Sequence, residues 1–487
     1  MVEQFWKQLL HRKLKGKSEP VFVFPEAAVS SAALWMGIRL WMQRWTEGPV
    51  VYSALSHGPE YLETLGGCLA RNGTFIAGHP ERGEQEIAEE VIRWQPDFVV
   101  VDRPMELPGY RQEEPINENR QCLLYSRCRG YEDLADQHPL RKSFPQQERR
   151  LILSTSGTSG VSRWAVLSDE NVFSVLRSHL PLLGMRKANV LSVLPWNHAF
   201  GLILDLLPSL FHARSVVRFR GLDEKSFLSL SRKFSINYLS SVPVVFDRLV
   251  QSKQCLELLS NFQGGLLGGA PVESTLASRL QGSRFRIGYG QTEASPGITL
   301  GEAGEFRTGH IGTARGCEIK LQDGTLRYRG RNVCSGVVRF EPEELRRPTG
   351  AVELRSWIVG RMEVLASCME TREAFSWQDT GDIVEEDERG YLFLGRRDQN
   401  FKLPNGTFLD VVRWEQKLNA IPGIRRSIIL PASGGLNVYL VCESGYDAVS
   451  LIQKSRLCMS RIDHYLRDVA ELNEEDLPRN PKGIILR

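Results

Sequence analysis

Short apolar runs alternate with amphipathic stretches along much of the chain, and this rhythm constrains the fold more than any other feature. VFVF at 21–24 precedes the helix-like AAVSSAALWMGIRLWMQRW; VVYSAL, YLETLGGCLARNG, the helix-like EEVIRW and the strand-like DFVVVD follow. The alternation resumes at LILSTSG and runs through NVLSVLP, SVVRF, INYLSSVP and GGLLGGAP to FRIGYGQTE. Strand-like runs separated by stretches of helical period predict a parallel sheet with helices on its faces. From about residue 310 the pattern changes to short strands and turns, as in CEIKLQDGTLRYRGRNV, where QDG is a hairpin signal. After Asp398 come further strands, SIILPA and LNVYLVCE, and a helix-like SLIQKSRLCMSRIDHYL. Residues 126–150 are polar and aperiodic and read as a surface connection, and the basic segment 1–17 reads as a surface helix or frayed end.

At 487 residues the chain exceeds what one core accommodates, so at least two units are expected. A net charge of +3 with no dense Lys/Arg block predicts no nucleic-acid partner. The longest apolar stretch, SSAALWMGIRLWM, is interrupted by Arg39 and falls short of a bilayer span, and the N-terminus lacks the apolar core of a signal peptide. Nine cysteines without a CxxC pair argue against a zinc site or a disulfide framework and for a reducing, cytoplasmic location.

STSGTSGVSRW at 154–164 sets small hydroxyl residues and glycines directly after the apolar LIL. A glycine-rich loop between a strand and a following helix lets backbone N–H groups converge on an anion, with Ser and Thr hydroxyls adding donors. The run lacks the lysine of GxxxxGK[ST], so it is not that phosphate loop, and alone such a run is more often a flexible turn. LPWNHAFG (194–201), LLGGAPV (266–272), GYGQTEA (288–294), QDTGD (378–382) and GRRDQNFKLPNG (395–406) follow in order.

In this order the motifs resemble those of the adenylate-forming superfamily: acyl-CoA synthetases, peptide-synthetase adenylation domains and luciferases. The resemblance runs from about residue 20 to the end. It implies an α/β fold with residues 1–397 as a large N-terminal AMP-binding domain, made of layered α/β subdomains plus a β-rich section. Residues 398–487 would form a small mobile α+β C-terminal domain turning on a hinge near Asp398. The implied reaction is activation of a carboxylic acid by ATP and Mg2+ to an acyl-adenylate, then transfer to the thiol of coenzyme A or of a carrier-protein phosphopantetheine. A carboxylate is a poor electrophile. AMP supplies a leaving group, and the crowded charge needs a metal and fixed donors.

By motif position, Thr155, Ser156, Gly157, Thr158, Ser159, Gly160 and Arg163 would hold the phosphates, with Thr158 and Glu293 on the magnesium side as hard oxygen donors. Tyr289 would stack on adenine, with Gly268, Gly269, Ala270, Gly290 and Thr292 around the nucleotide, Asp382 accepting the ribose hydroxyls and Arg396 beside ribose and phosphate. The acid pocket would draw on His198, Val242, Gly268 and Gly269 and on SPGITL after Glu293. His198 closes it for the first step, and Lys402 and Gly406 face the thiol in the second. Taken singly, each has a plainer reading: a surface carboxylate, a half-buried tyrosine, a histidine bonded to backbone. No aspartate stands ready for an amino group, so an aryl or fatty acid is expected over an amino acid.

Two departures concern the phosphates. Ser162, Arg163 and Trp164 replace the family's Pro-Lys-Gly, and Gly483 is followed by Ile484 where the family has its catalytic lysine. Lys482, two positions away on the same face of an extended segment, is the candidate replacement. Three readings therefore stay open: a full acid:thiol ligase, an adenylation-impaired enzyme that forms or exchanges thioesters, and a non-catalytic acyl- or nucleotide-binding subunit.

Overall fold

The computed structural model describes residues 5–15, 20–25, 27–116, 122–128, 137–155, 162–341, 351–397, 401–402, 408–409, 411–432, 435–443, 445–460 and 466–473. These fall into two compact units: one comprises the described residues up to 319 together with 328–378, the other comprises 320–327 and the described residues from 379 on. The chain is a mixed α/β protein of layered sheets.

A nine-stranded sheet organises the first unit. Its spatial order is Met369–Thr371, Gly336–Phe340, Ser162–Leu167, Leu151–Ser154, Thr74–Ala77, Val50–Ala54, Phe98–Val101, Leu123–Arg127 and Tyr110–Gln112. The four strands from Leu151–Ser154 to Phe98–Val101 run parallel, and the flanking strands pair antiparallel. Alternation along each strand sorts side chains to two faces. Val51, Phe75, Leu151, Leu153, Ala165 and Leu167 enter one apolar core, and Val50, Tyr52, Ile76, Ile152, Trp164 and Val166 another. Thr74–Ala77 did not stand out as a separate run in the sequence.

A five-stranded sheet of Tyr238–Ser240, Asn189–Ser192, Ser215–Arg218, Val21–Val23 and Ala28–Ser30 lies in the same unit, its first four strands parallel. Val21–Val23 thus pairs with a strand about two hundred residues later, a partnership no local pattern announces. The strands Gly265–Leu267, Phe285–Tyr289, Thr299–Leu300 and His310–Ala314 pair in succession. Asp323 and Gly324 both have positive φ, 53° and 74°, as the expected hairpin turn requires.

Two expectations change. The N-terminal segment forms the helix Phe5–Leu14, which buries Trp6, Leu10 and Leu14, four residues apart, and donates from the Trp6 indole to Asp169 Oδ1 at 2.5 Å. Nor is residue range 126–150 a surface connection throughout. Leu123–Arg127 is a strand, Leu140 and Phe144 are core, and buried Arg150 bridges Asp169 through two bonds of 2.7 and 2.8 Å. Paired charges made that segment look polar, but satisfied pairs can be buried.

The second unit holds, from Asp379 on, the hairpin of strand Gln378–Asp387 with Gly390–Arg396, and the three-stranded sheet of Ile424–Ala432, Gly435–Cys442 and Leu466–Glu471 backed by the helices Val411–Asn419 and Ala448–Cys458. Asp398 lies outside the described residues.

Candidate active site

The strands Leu151–Ser154 and Ser162–Leu167 are antiparallel neighbours, with Ser154 opposite Trp164, and Thr155 N–H donates to Arg163 O at 2.9 Å. The hydroxyl-rich run therefore joins two strands, not a strand and a helix. Ser156, Gly157, Thr158, Ser159 and Gly160 lie outside the described residues. Arg163 is exposed and stands directly opposite Arg339 on the next strand, while Trp164 points the other way into the core, its ring 5.5 Å from that of Trp94.

Glu293 sits on the short turn Thr292–Ala294, which packs against Ser162–Leu167, and its carbonyl accepts from Cys334 N–H at 2.9 Å. Arg372 contributes positive charge near Glu293 and reaches toward Glu370 Oε1 at 3.7 Å, while Glu370 also binds Arg339 at 2.7 Å. Burial pushes the Tyr328 hydroxyl, which accepts from Gln291 at 3.3 Å, well above its ordinary pKa, so it stays protonated. Arg372 and Tyr328 lie near the expected magnesium-side carboxylate, and Arg339 shares Glu370 with Arg372, yet no motif drew attention to them. Only strand register brings them there.

Tyr289 ends the strand Phe285–Tyr289 and is half-buried, opposite Thr299. A Cβ on Gly290 would lie 1.6 Å from Pro296 O, so only glycine lets SPGITL fold back onto this strand. Gly268 stands where a Cβ would meet Phe200 at 3.4 Å, and Gly269, with φ of 83°, lies against Val242. Ala270 is exposed beside them. The structure thus gathers Val242, Gly268 and Gly269 with Phe200, two residues beyond His198. His198 itself is half-buried, its ring 5.9 Å from that of His79 and inclined to it by 67°. His79 went unnoticed in the sequence, where it stands alone in AGHPERG.

In the second unit Asp382 is buried and pairs across the hairpin with Arg396, whose Nη1 donates to Asp382 Oδ1 at 3.0 Å. Thr380 Oγ1 accepts from Asp382 N–H at 3.1 Å and donates to Leu326 O, fixing the carboxylate's base. Lys402 lies on the short strand Phe401–Lys402, paired with Phe408–Leu409. Gly406, Asp398, Lys482 and Ile484 lie outside the described residues.

Residues 41–338 match the family model described as "AMP-binding enzyme". A 4-coumarate–CoA ligase of Humulus lupulus is 22% identical over 488 residues, covering 91% of this chain and 83% of that protein. The long-chain-fatty-acid–CoA ligase FadD13 of Mycobacterium tuberculosis is 25% identical over 350 residues, 69% of this chain and 66% of its own length. Among solved structures, O-succinylbenzoate coenzyme A synthetase of Bacillus subtilis in complex with ATP and magnesium superposes with a TM-score of 0.73 at 18% identity, over 98% of both chains. The chain belongs to the AMP-binding enzyme family. Within it, it is a ligase of acyl-CoA-synthetase type.

Proposed function

We propose that this protein activates a small carboxylic acid as its acyl-adenylate and passes the acyl group to coenzyme A. The observation that carries this reading is the packing of the Glu293 turn on the strand that follows the hydroxyl-rich loop, within a chain that belongs to the family. Glu293, a hard carboxylate, suits magnesium, which when bound would screen the phosphate oxygens. Arg163 would meet phosphate charge from the loop's base. Asp382, oriented by Thr380 and Arg396, would accept ribose hydroxyl protons. His198, Val242, Gly268 and Gly269 would enclose the acid, and a small C-terminal domain beginning near Asp398 would bring Lys402 and Gly406 to the thiol.

The pocket-forming residues are small or apolar, and no carboxylate among them is placed for an amino group, which favours an aryl or fatty acid. A carrier-protein pantetheine in place of coenzyme A is the finer alternative. Nine free cysteines fit a reducing, cytoplasmic setting. Among the described residues no helix is long and apolar enough to cross a membrane.

Ile484 in place of the family lysine motivates the second reading, an adenylation-impaired enzyme or a binding subunit. Pyrophosphate release with a panel of acids separates the readings. ATP- and acid-dependent release followed by thioester formation is expected. Thioester formed only from supplied acyl-adenylate or another thioester would move the function to the impaired enzyme, and binding without turnover to a non-catalytic subunit.

A further inference from the structure

The parallel strands Asn189–Ser192 and Ser215–Arg218 end together, with Ser192 opposite Arg218, at the carboxyl edge of the five-stranded sheet. Ligand sites of α/β sheets gather at such edges. Arg218 is only 4% exposed. Its Nη1 donates to the carbonyls of Ser192 at 3.0 Å and Leu194 at 2.7 Å, Nη2 lies 3.1 Å from His57 Nδ1, and the guanidinium carbon is 4.9 Å from the Trp196 ring centre. Trp196 is gripped three times more: its Nε1 donates to Ser192 Oγ at 3.0 Å, its N–H donates to His57 Nδ1 at 3.4 Å, and its carbonyl accepts from Tyr61 at 2.9 Å. Ser192 Oγ donates in turn to Asp205 Oδ2 at 2.5 Å.

Asp205 lies on the π-helix Phe200–Leu206, which begins two residues after His198, and Leu202 N–H donates to His198 O at 2.8 Å. Such wide turns recur where a helix is bent to functional use. Backbone on both sides of His198 is therefore tied to one buried cluster of Arg218, Ser192, Trp196 and Asp205.

Packing alone does not call for this cluster. Arg218 Nε, Asp205 Oδ1 and His57 Nε2 are buried without a hydrogen-bond partner among the described residues. Burying charge so incompletely is costly, and apolar side chains of similar volume would hold a sheet edge at least as well. What a guanidinium adds is direction: a planar fork that fixes two carbonyls while stacking on an indole.

We propose that Arg218 is a positioning residue for the acid pocket, setting the location of His198 by holding the segment from Ser192 to Trp196 without itself touching substrate. This rests on the reading that His198 lines the acid pocket of an adenylating ligase.

The test is steady-state pyrophosphate release by the full chain, using the acid that the wild type uses best, with Arg218→Lys, His198→Ala and the double variant. Misplacing a pocket group by an ångström costs up to about 100-fold, so Arg218→Lys should lower kcat/KM for the acid by about 10- to 100-fold and leave KM for ATP within about twofold. Adding His198→Ala to Arg218→Lys should then cost little more, because both act through one group. A purely structural Arg218 would lower kcat for both substrates alike through loss of folded enzyme, and its effect would multiply with that of His198→Ala. Either result overturns the proposal. Should Arg218→Lys fail to fold, Trp196→Phe, which keeps an aromatic face for the guanidinium but loses the bond to Ser192 and part of the indole's bulk, should show the same acid-selective loss at about 3- to 10-fold. Its absence would overturn the proposal equally. No release by the wild type with any acid overturns the functional reading and this inference together, whereas normal wild-type turnover without the acid-selective loss overturns this inference alone.

Discussion

Trp164 stands where the family pattern has a glycine, and its indole enters the core beside Trp94 with Nε1 donating to Ser162 Oγ at 2.9 Å. Strand alternation sends the preceding residue, Arg163, to the opposite, exposed face, so the indole and the cation point apart. Of the two departures from the family pattern, the loss of the lysine at Ile484 removes a cation, whereas the loop keeps one as Arg163. One missing donor at a developing charge costs about 100- to 1,000-fold in rate. Ile484→Lys should therefore raise acid-dependent pyrophosphate release by about 100-fold. An unchanged rate in the folded variant would show that no donor is lacking there. Lys482→Ala should abolish release if Lys482 stands in for the missing lysine, and full activity would end that assignment. Glu293, Asp382 and His198 were legible in the sequence because each sits inside an ordered motif. Arg339, Arg372, His57 and Arg218 were not, since each is an ordinary residue until register or packing sets it beside a motif residue.

The helices Ser31–Arg44 and Pro59–Ala70 pack at close range, and glycines make the approach possible. A Cβ at Gly67 would lie 2.6 Å from Trp41 Cβ, while one at Gly66 would lie 2.5 Å from Ile38 Cδ1. The distances are alike but the obstacles differ. Ile38 Cδ1 is a chain end, with Cγ1 behind it at 2.7 Å on a β-branched side chain that turns only stiffly, whereas Trp41 Cβ moves only with its helix. Alanine gains up to about 1 kcal/mol of helix propensity over glycine, and forced overpacking costs about 1–3 kcal/mol. Gly66→Ala should lower the thermal midpoint slightly and Gly67→Ala clearly more. Equal midpoints would mean that the helices separate to accommodate either methyl group. Helical period alone showed that these stretches are helices; GG in LETLGGCLA gave no sign that its two members meet such different neighbours.

Across the whole molecule, buried titratable groups set how stability follows pH. Burial lowers His57 to about 2, with Arg218 and Arg220 adding to the effect; it lowers His138 to about 3 and His179 to about 4. Below pH of about 6.5 the unfolded chain protonates these three imidazoles and the folded chain does not, so their contribution, full above that pH, is lost as pH falls. Asp205 works in the opposite sense. Burial raises it to about 7 against the bond from Ser192 and the charge of Arg218, with buried Tyr238 also nearby, so the folded chain holds a proton that the unfolded chain releases above pH of about 4. Three groups outweigh one, and the urea midpoint should rise from pH 5 to pH 7. Asp205→Asn should steepen that rise by removing the opposing group, and a flat wild-type profile would show that the three histidines titrate normally in the folded protein. The sequence by itself determined the alternating elements, the order of the motifs and the family they belong to, because period, turn chemistry and motif spacing are local properties of the chain. Only the tertiary structure decided that Val21–Val23 joins a distant sheet, that the hydroxyl-rich loop links two strands, and that Arg218 lies buried beneath Trp196. Those outcomes depend on which surfaces bury one another and on which charges find partners when they do, and that is fixed by contacts between residues far apart in the chain.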